Sequence, residues 1–132
     1  MKVSASIKNG YNLHQVIVKT DGAAKVLEIP SKPTGYGSSI NGAELLLLSL
    51  ATCFCNDIYR EAAKRNIKVT DVEVAFTSDF GAEGEPGTNF QYKASVVADA
   101  PQSVIDELIR DTDNIAEIHN TLRKGVSITL MK

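Results

Sequence analysis

The chain has 132 residues, 43% of them apolar and 23% charged, a balance that suits one ordinary globular domain and argues against disorder and against a membrane class. Its 14 basic and 16 acidic residues leave a formal charge of −2, so no positive field attracts a phosphate backbone and nucleic acid is not an expected partner. The longest apolar stretch, Leu45 to Ala51 with Ser49 inside it, falls far short of the roughly 20 residues that span a bilayer. The first residues show no basic segment followed by an apolar run, so we expect a cytoplasmic protein.

Residues 2–8 alternate apolar and polar and run into Asn9-Gly10, a hairpin dipeptide, which predicts a first strand and its turn. Residues 13–19 are rich in β-branched side chains and end at Asp21-Gly22, after which Lys25 to Ile29 alternates again. The result is a three-stranded antiparallel meander. Pro30 and Pro33 stop the pattern, and Gly35, Gly37, Ser38, Ser39 and Gly42 spell a loop. From about Ala43 to Arg65 there is neither proline nor glycine. This predicts a long helix, with Ser39 and Asn41 as candidate caps and with Lys64 and Arg65 suited to the negative end of its dipole. Its first half, Leu45 to Ile58, is apolar almost all round and has to be enclosed on every face, while Tyr59 to Arg65 is amphipathic.

Residues 67–79 and 89–98 alternate with period two, and the glycine-rich segment Gly81 to Gly87 links them as a long hairpin. Pro101 then opens a helix at its first position, with Val104, Ile105, Leu108 and Ile109 at helical spacing. A short helical piece around Ile115 to Leu122 follows, Gly125 stops it, and Val126 to Met131 reads as a final strand. The order βββ-α-ββ-α-α-β, without repeat or linker, defines one α+β domain over residues 1–132. One subunit carries too little material to wrap a helix apolar on every face, so an isologous homodimer is expected, the alternative being a monomer in which the sheet and the C-terminal helices suffice.

The two cysteines, Cys53 and Cys55, lie one residue apart in the predicted central helix. Residues i and i+2 of a helix are rotated by about 200°, which sends the sulfurs to opposite sides and excludes a disulfide between them. Without a second cysteine pair or a nearby histidine they make no zinc site, and we expect neither metal nor cofactor. Their chemistry, if any, is that of thiols.

The run from Gly35 to Cys55, a glycine-rich loop followed by Glu44-Leu-Leu and then Ala51-Thr-Cys53 on a helix, resembles the signature of the OsmC/Ohr family, as does the order of elements. The resemblance implies an intertwined homodimeric α+β fold. It also implies a thiol peroxidase that reduces organic hydroperoxides with two cysteines per subunit, in an oxidative or osmotic stress role. Cys53 falls on the position of the peroxide-attacking cysteine, nine residues after Glu44. In the best-characterised peroxidases of the family the glutamate stands ten residues before the cysteine, where this chain has Ala43, and the nine-residue spacing resembles the OsmC-like branch.

Two departures stand out. The segment Ala116-Glu-Ile-His-Asn-Thr-Leu122 is the best match to the motif of the second, resolving cysteine, and puts Ala116 in its place. The arginine that activates the thiol in Ohr-type peroxidases lies in the N-terminal half, and here no arginine precedes Arg60. Lys25, Lys32, His14 and His119 are the candidates to replace its charge. A peroxidatic thiol has to ionise, and an apolar helix raises its pKa instead. His119 is of interest because it lies in the second-cysteine segment; His14 reads as a strand-edge residue, and Asp57 and Arg60, at i and i+3, as an ion pair.

Cys53 and Glu44 are therefore the candidate catalytic residues, with His119 and Cys55 in possible support. Glu44 is about 13 Å along the helix from Cys53 and on the opposite side of it, so a joint role needs the dimer mate or a ligand between them. The resemblance implies a small apolar hydroperoxide as substrate and an external thiol as reductant. The alternative is a non-catalytic homodimer that binds a small apolar ligand in the same pocket.

Overall fold

Residues 1–45 and the chain from residue 46 onward form two compact units in the computed structural model, which describes Met1–Met131. In the first unit, β1 (Val3–Gly10), β2 (Leu13–Thr20) and β3 (Ala23–Leu27) make an antiparallel sheet in that order. Ile7 sits opposite Val16 and Thr20 opposite Ala23. The β2–β3 turn is Asp21-Gly22 as read, with both residues at positive φ.

The first turn falls two residues later than expected, at Tyr11-Asn12, and Asn9 and Gly10 belong to β1. The reason lies in the glycine loop. The Asn9 side chain accepts from the Gly37 N–H at 3.0 Å and donates to the Gly37 carbonyl at 3.2 Å, and the Asn12 N–H donates to the Gly35 carbonyl at 2.6 Å. Asn12 takes up the left-handed φ of 52° that the turn requires. Gly35 has φ 90°, and a Cβ there would lie 2.5 Å from the Tyr11 ring, so only glycine fits both the conformation and the space.

α1 (Gly42–Lys64) begins in this first unit. Its start is a reciprocal cap: the Glu44 N–H donates to Asn41 Oδ1 at 2.8 Å, and the Asn41 N–H donates to Glu44 Oε1 at 3.0 Å. Two otherwise unpartnered N–H groups are satisfied by one pair of side chains. Asn41, rather than Ser39, is the cap. At the other end Asn66 adopts φ 54° and the Ile67 N–H returns to the Ala62 carbonyl at 2.9 Å, which terminates the helix after the charged turn.

The second unit holds the rest of α1 with β4 (Val69–Asp79), β5 (Thr88–Ala98), α2 (Gln102–Ile115) and α3 (Glu117–Lys124). β4 and β5 form a two-stranded antiparallel sheet in which Val72 faces Val96, Val74 faces Ala94 and Phe76 faces Tyr92. The alternation that predicted these strands puts those pairs on one face, and that face packs on Phe54, Ile58 and Ala62 of α1 and Ile105 and Leu108 of α2. Phe54, Ile58, Ile105 and Leu108, buried there, each contribute about 1.5–3 kcal/mol of transfer free energy. Pro101 precedes α2 instead of occupying its first turn; it is extended at ψ 151°, and its carbonyl accepts from the Val104 and Ile105 N–H groups. On α1, Leu50 is sealed, but Leu48 remains 58% exposed, so the apolar half of the helix is covered on part of its circumference only.

The final strand expected over Val126 to Met131 is not formed. After Gly125 caps α3, the segment runs without regular structure, and Ile128 and Leu130 are 94% and 96% exposed. Alternation marks a segment fit to be a strand, but a strand exists only where an edge accepts its hydrogen bonds, and among the described residues none pairs with it. Among the described residues the fold is mixed α+β, with two antiparallel sheets and three helices.

Candidate functional site

Cys53 stands in the middle of α1, half-buried, on the turn where the helix changes from apolar to charged. One turn on, at i+4, Asp57 reaches back, and the sulfhydryl lies 3.6 Å from its Oδ2. From α3, Glu117 brings Oε2 to 3.7 Å from the same sulfur. Arg60 closes the group: its Nη1 lies 3.0 Å from Asp57 Oδ1 and 3.4 Å from Glu117 Oε1, and its Nε donates to Glu61 at 3.0 Å. Lys64 completes the row with a 2.8 Å contact to Glu61. The i, i+3 and i, i+4 spacings of α1 thus line up sulfur, carboxylate and guanidinium on one face.

Burial is the first reason that the Cys53 thiol is pushed up from its ordinary pKa. The backbone N–H of Ile118, in the first turn of α3, works against the shift, and the charges of Asp57 and Glu117 add to it. Asp57 is itself raised, by burial first and then by the Glu117 charge, with Arg60 opposing. Glu117 is held low, by its own backbone N–H first, with Arg60 assisting. The Cys53 sulfhydryl, held above its ordinary value, is thus in contact with an Asp57 carboxyl that is raised as well. The Cys53 sulfur and one oxygen from each of Asp57 and Glu117 all lie within 4.8 Å of one another, a set of donors a cation could use, but the Arg60 guanidinium already supplies the positive charge between the two carboxylates.

The other residues singled out from the sequence are placed elsewhere. Glu44 commits its carboxylate to the cap of α1. Cys55 is a free, half-buried thiol beside Ala51, Thr52, Asn56 and Val74. His14 is half-buried on β2, with Nδ1 2.9 Å from Asn9 Nδ2. Ala116, which the sequence matched to the second-cysteine motif, is fully buried at the N-cap of α3. His119 is buried in the core of the second unit, stacked on Phe54 at 5.5 Å and edge-on to Tyr92 and Phe76. Glu117 was missed. It stands directly after Ala116, in the segment matched to the second-cysteine motif, and that adjacency was the available signal; its approach to Cys53 joins residues 64 positions apart.

The sequence of residues 35–131 matches the family described as OsmC-like protein, and the chain belongs to that family. Its fold is similar to that of an OsmC-like protein from Mycoplasma pneumoniae, with 16% identity, a TM-score of 0.64 and coverage of 91% of this chain and 87% of that one. It is similar also to an organic hydroperoxide resistance protein OsmC from Legionella pneumophila, at 22% identity and a TM-score of 0.57 over 93% and 90% of the two chains. A third similar structure is the organic hydroperoxide resistance protein OhrB of Bacillus subtilis, at 16% identity and a TM-score of 0.52 over 91% and 89%. No curated protein matches the sequence. Among the described residues no helix is long and apolar enough to cross a membrane.

Proposed function

We propose that this protein reduces small apolar hydroperoxides with the single thiol of Cys53, as a cytoplasmic homodimer whose oxidised sulfur is returned to the thiol by an external reductant. The observation that carries this reading is the Cys53–Asp57 contact with Arg60 on the far side of the same carboxylate; membership of the OsmC-like family supports it. Asp57 takes the thiol proton as the sulfur attacks the terminal oxygen of the hydroperoxide. The S–O bond forms, the O–O bond breaks, and the same proton passes from Asp57 to the leaving alkoxide, giving an alcohol and a Cys53 sulfenic acid. With Ala116 in place of a second cysteine, two equivalents of an external thiol reduce the sulfenic acid, yielding a disulfide of that thiol and water.

Arg60 supplies the cation that the sequence lacks farther upstream, and Glu44 serves as the helix cap. Because burial and the two carboxylates hold the thiol protonated, turnover is slow at neutral pH and rises toward alkaline pH.

The test mixes the reduced protein with cumene hydroperoxide and dimedone and reads both cysteines by mass spectrometry. A dimedone adduct at Cys53 alone, with peroxide consumption lost in Cys53→Ser, is the expected result. An unmodified Cys53 in the presence of persisting peroxide would reject it and leave ligand binding without turnover as the function of the fold.

A further inference from the structure

The sulfur of Cys53 and the carboxylates of Asp57 and Glu117 bring three ligating atoms within 4.8 Å of one another, and their spacing is that of a metal polyhedron. The Cys53 Sγ lies 3.6 Å from Asp57 Oδ2 and 3.7 Å from Glu117 Oε2. A tetrahedral zinc ion, with bonds of ~2.3 Å to sulfur and ~2.0–2.2 Å to oxygen, sets the same edges at about 3.5–3.7 Å. Cys53 and Asp57 stand at i and i+4 of α1, the spacing at which one helix face offers two ligands to one ion, and Glu117 comes from the first turn of α3. Hydrogen bonding leaves this group incomplete. Asp57 is only 4% exposed and turns Oδ2 toward the sulfur, and among the described residues no other side chain donates to that oxygen or to Glu117 Oε2. A sulfhydryl carries one proton, so it serves one of the two oxygens and turns a lone pair toward the other. Arg60 does not fill the gap, because its Nη1 takes the other two oxygens, Asp57 Oδ1 at 3.0 Å and Glu117 Oε1 at 3.4 Å. With the sulfur ionised, three negative groups face one guanidinium, and a divalent cation closes the balance.

We propose that Cys53, Asp57 and Glu117 form a binding site for a thiophilic divalent cation of the zinc class. The cation bonds to the sulfur and displaces the thiol proton to solvent, takes one oxygen from each carboxylate and keeps a water as its fourth ligand, while Arg60 retains the remaining carboxylate oxygens. The thiolate favours zinc, cadmium or cobalt over magnesium and calcium, which prefer oxygen. The Glu117 side chain is 62% exposed, so the ion has a path from solvent past it. The site needs the sulfur only as a ligand and does not depend on the peroxide chemistry proposed above. On that reading it adds a control: a metal-bound sulfur cannot attack a hydroperoxide, so the ion and the peroxide exclude one another.

The experiment titrates the reduced protein with cobalt(II) in the absence of oxygen, reads the absorption spectrum, and then competes with zinc. One cobalt per chain is expected, with a sulfur-to-cobalt charge-transfer band and the intense visible bands of a four-coordinate ion, and zinc abolishes both. Cys53→Ser removes the charge-transfer band, and Cys55→Ser keeps it. Glu117→Gln, a change at an exposed side chain, weakens binding at least about tenfold, the scale of losing even a supporting group at a metal site. The melting temperature of each variant checks that it folds. Zinc also slows alkylation of Cys53 by iodoacetamide, and EDTA restores it. No charge-transfer band at all, a band that persists in Cys53→Ser, undiminished affinity in Glu117→Gln, or displacement of cobalt by magnesium as readily as by zinc would each overturn the proposal. The dimedone test of the peroxide reading is run without metal, so either proposal can fail while the other stands.

Discussion

Asp57 and His119 are buried to the same degree, at 4% and 5% exposure, yet the molecule treats them in opposite ways. Asp57 keeps a sulfhydryl on one side and a guanidinium on the other, whereas His119 lies among three aromatic rings with neither nitrogen matched. A buried group that is paired is fixed in place by its partners, and one that is unpaired is fixed by packing alone. The first arrangement suits a proton that has to move between defined atoms. The second holds an imidazole by the shape of its neighbours.

The largest effect that would sharpen this contrast comes from the packing side. Phe54 is fully buried and stacked on His119, so Phe54→Ala is expected to cost about 3–5 kcal/mol of folding stability, read by urea denaturation. A loss comparable to that of a surface substitution would mean that His119 is not held by its rings.

The pairing side gives the next effect. Asp57→Asn removes a charge that raises the Cys53 pKa. Alkylation of Cys53 by iodoacetamide at neutral pH is expected to quicken by up to about tenfold, the factor for one pKa unit. Peroxide reduction is expected to fall in the same variant, because the proton carrier is gone. If both rates rise together, Asp57 is a neighbour of the thiol and not its proton relay. Glu117→Gln acts on the same sulfur from a more exposed position, where solvent screens the charge, and only about a two- to threefold gain in alkylation is expected.

The smallest effect is a slope. Burial, with Arg123 adding and Asp113 opposing, holds His119 below its ordinary pKa, so below about pH 6.5 the unfolded chain binds a proton at this position more readily than the folded one. The contribution to stability is full above that pH and is lost as pH falls toward the folded value. His119→Phe is expected to flatten the dependence of melting temperature on pH between neutrality and mild acid. An unchanged slope would mean that the imidazole is not held neutral by its surroundings.

Much of this architecture was legible in the residues themselves. The period-two strands at 69–79 and 88–98, the long helix, and the Asp21-Gly22 turn all emerge from local pattern, because each is dictated by neighbours in sequence. Asn9-Gly10 misled because its asparagine was claimed by Gly37, 28 residues away. Val126 to Met131 misled because propensity does not supply a partner edge. At the candidate site, the resemblance singled out Cys53 and the i, i+3 spacing paired Asp57 with Arg60, as the structure does, but Glu117 reaches the sulfur across the fold, and no local pattern encodes that approach. The unmatched nitrogens of His119 are likewise a property of packing that composition does not show.

Ala116 carries a consequence for anyone who would restore the missing thiol. Its methyl group is walled in completely at the N-cap of α3, and a larger atom forced into a filled interior typically costs about 1–3 kcal/mol. Writing cysteine at 116 is therefore a repacking problem before it is a redox one, and a working two-thiol relay in this scaffold calls for loosened neighbours as well as the added sulfur.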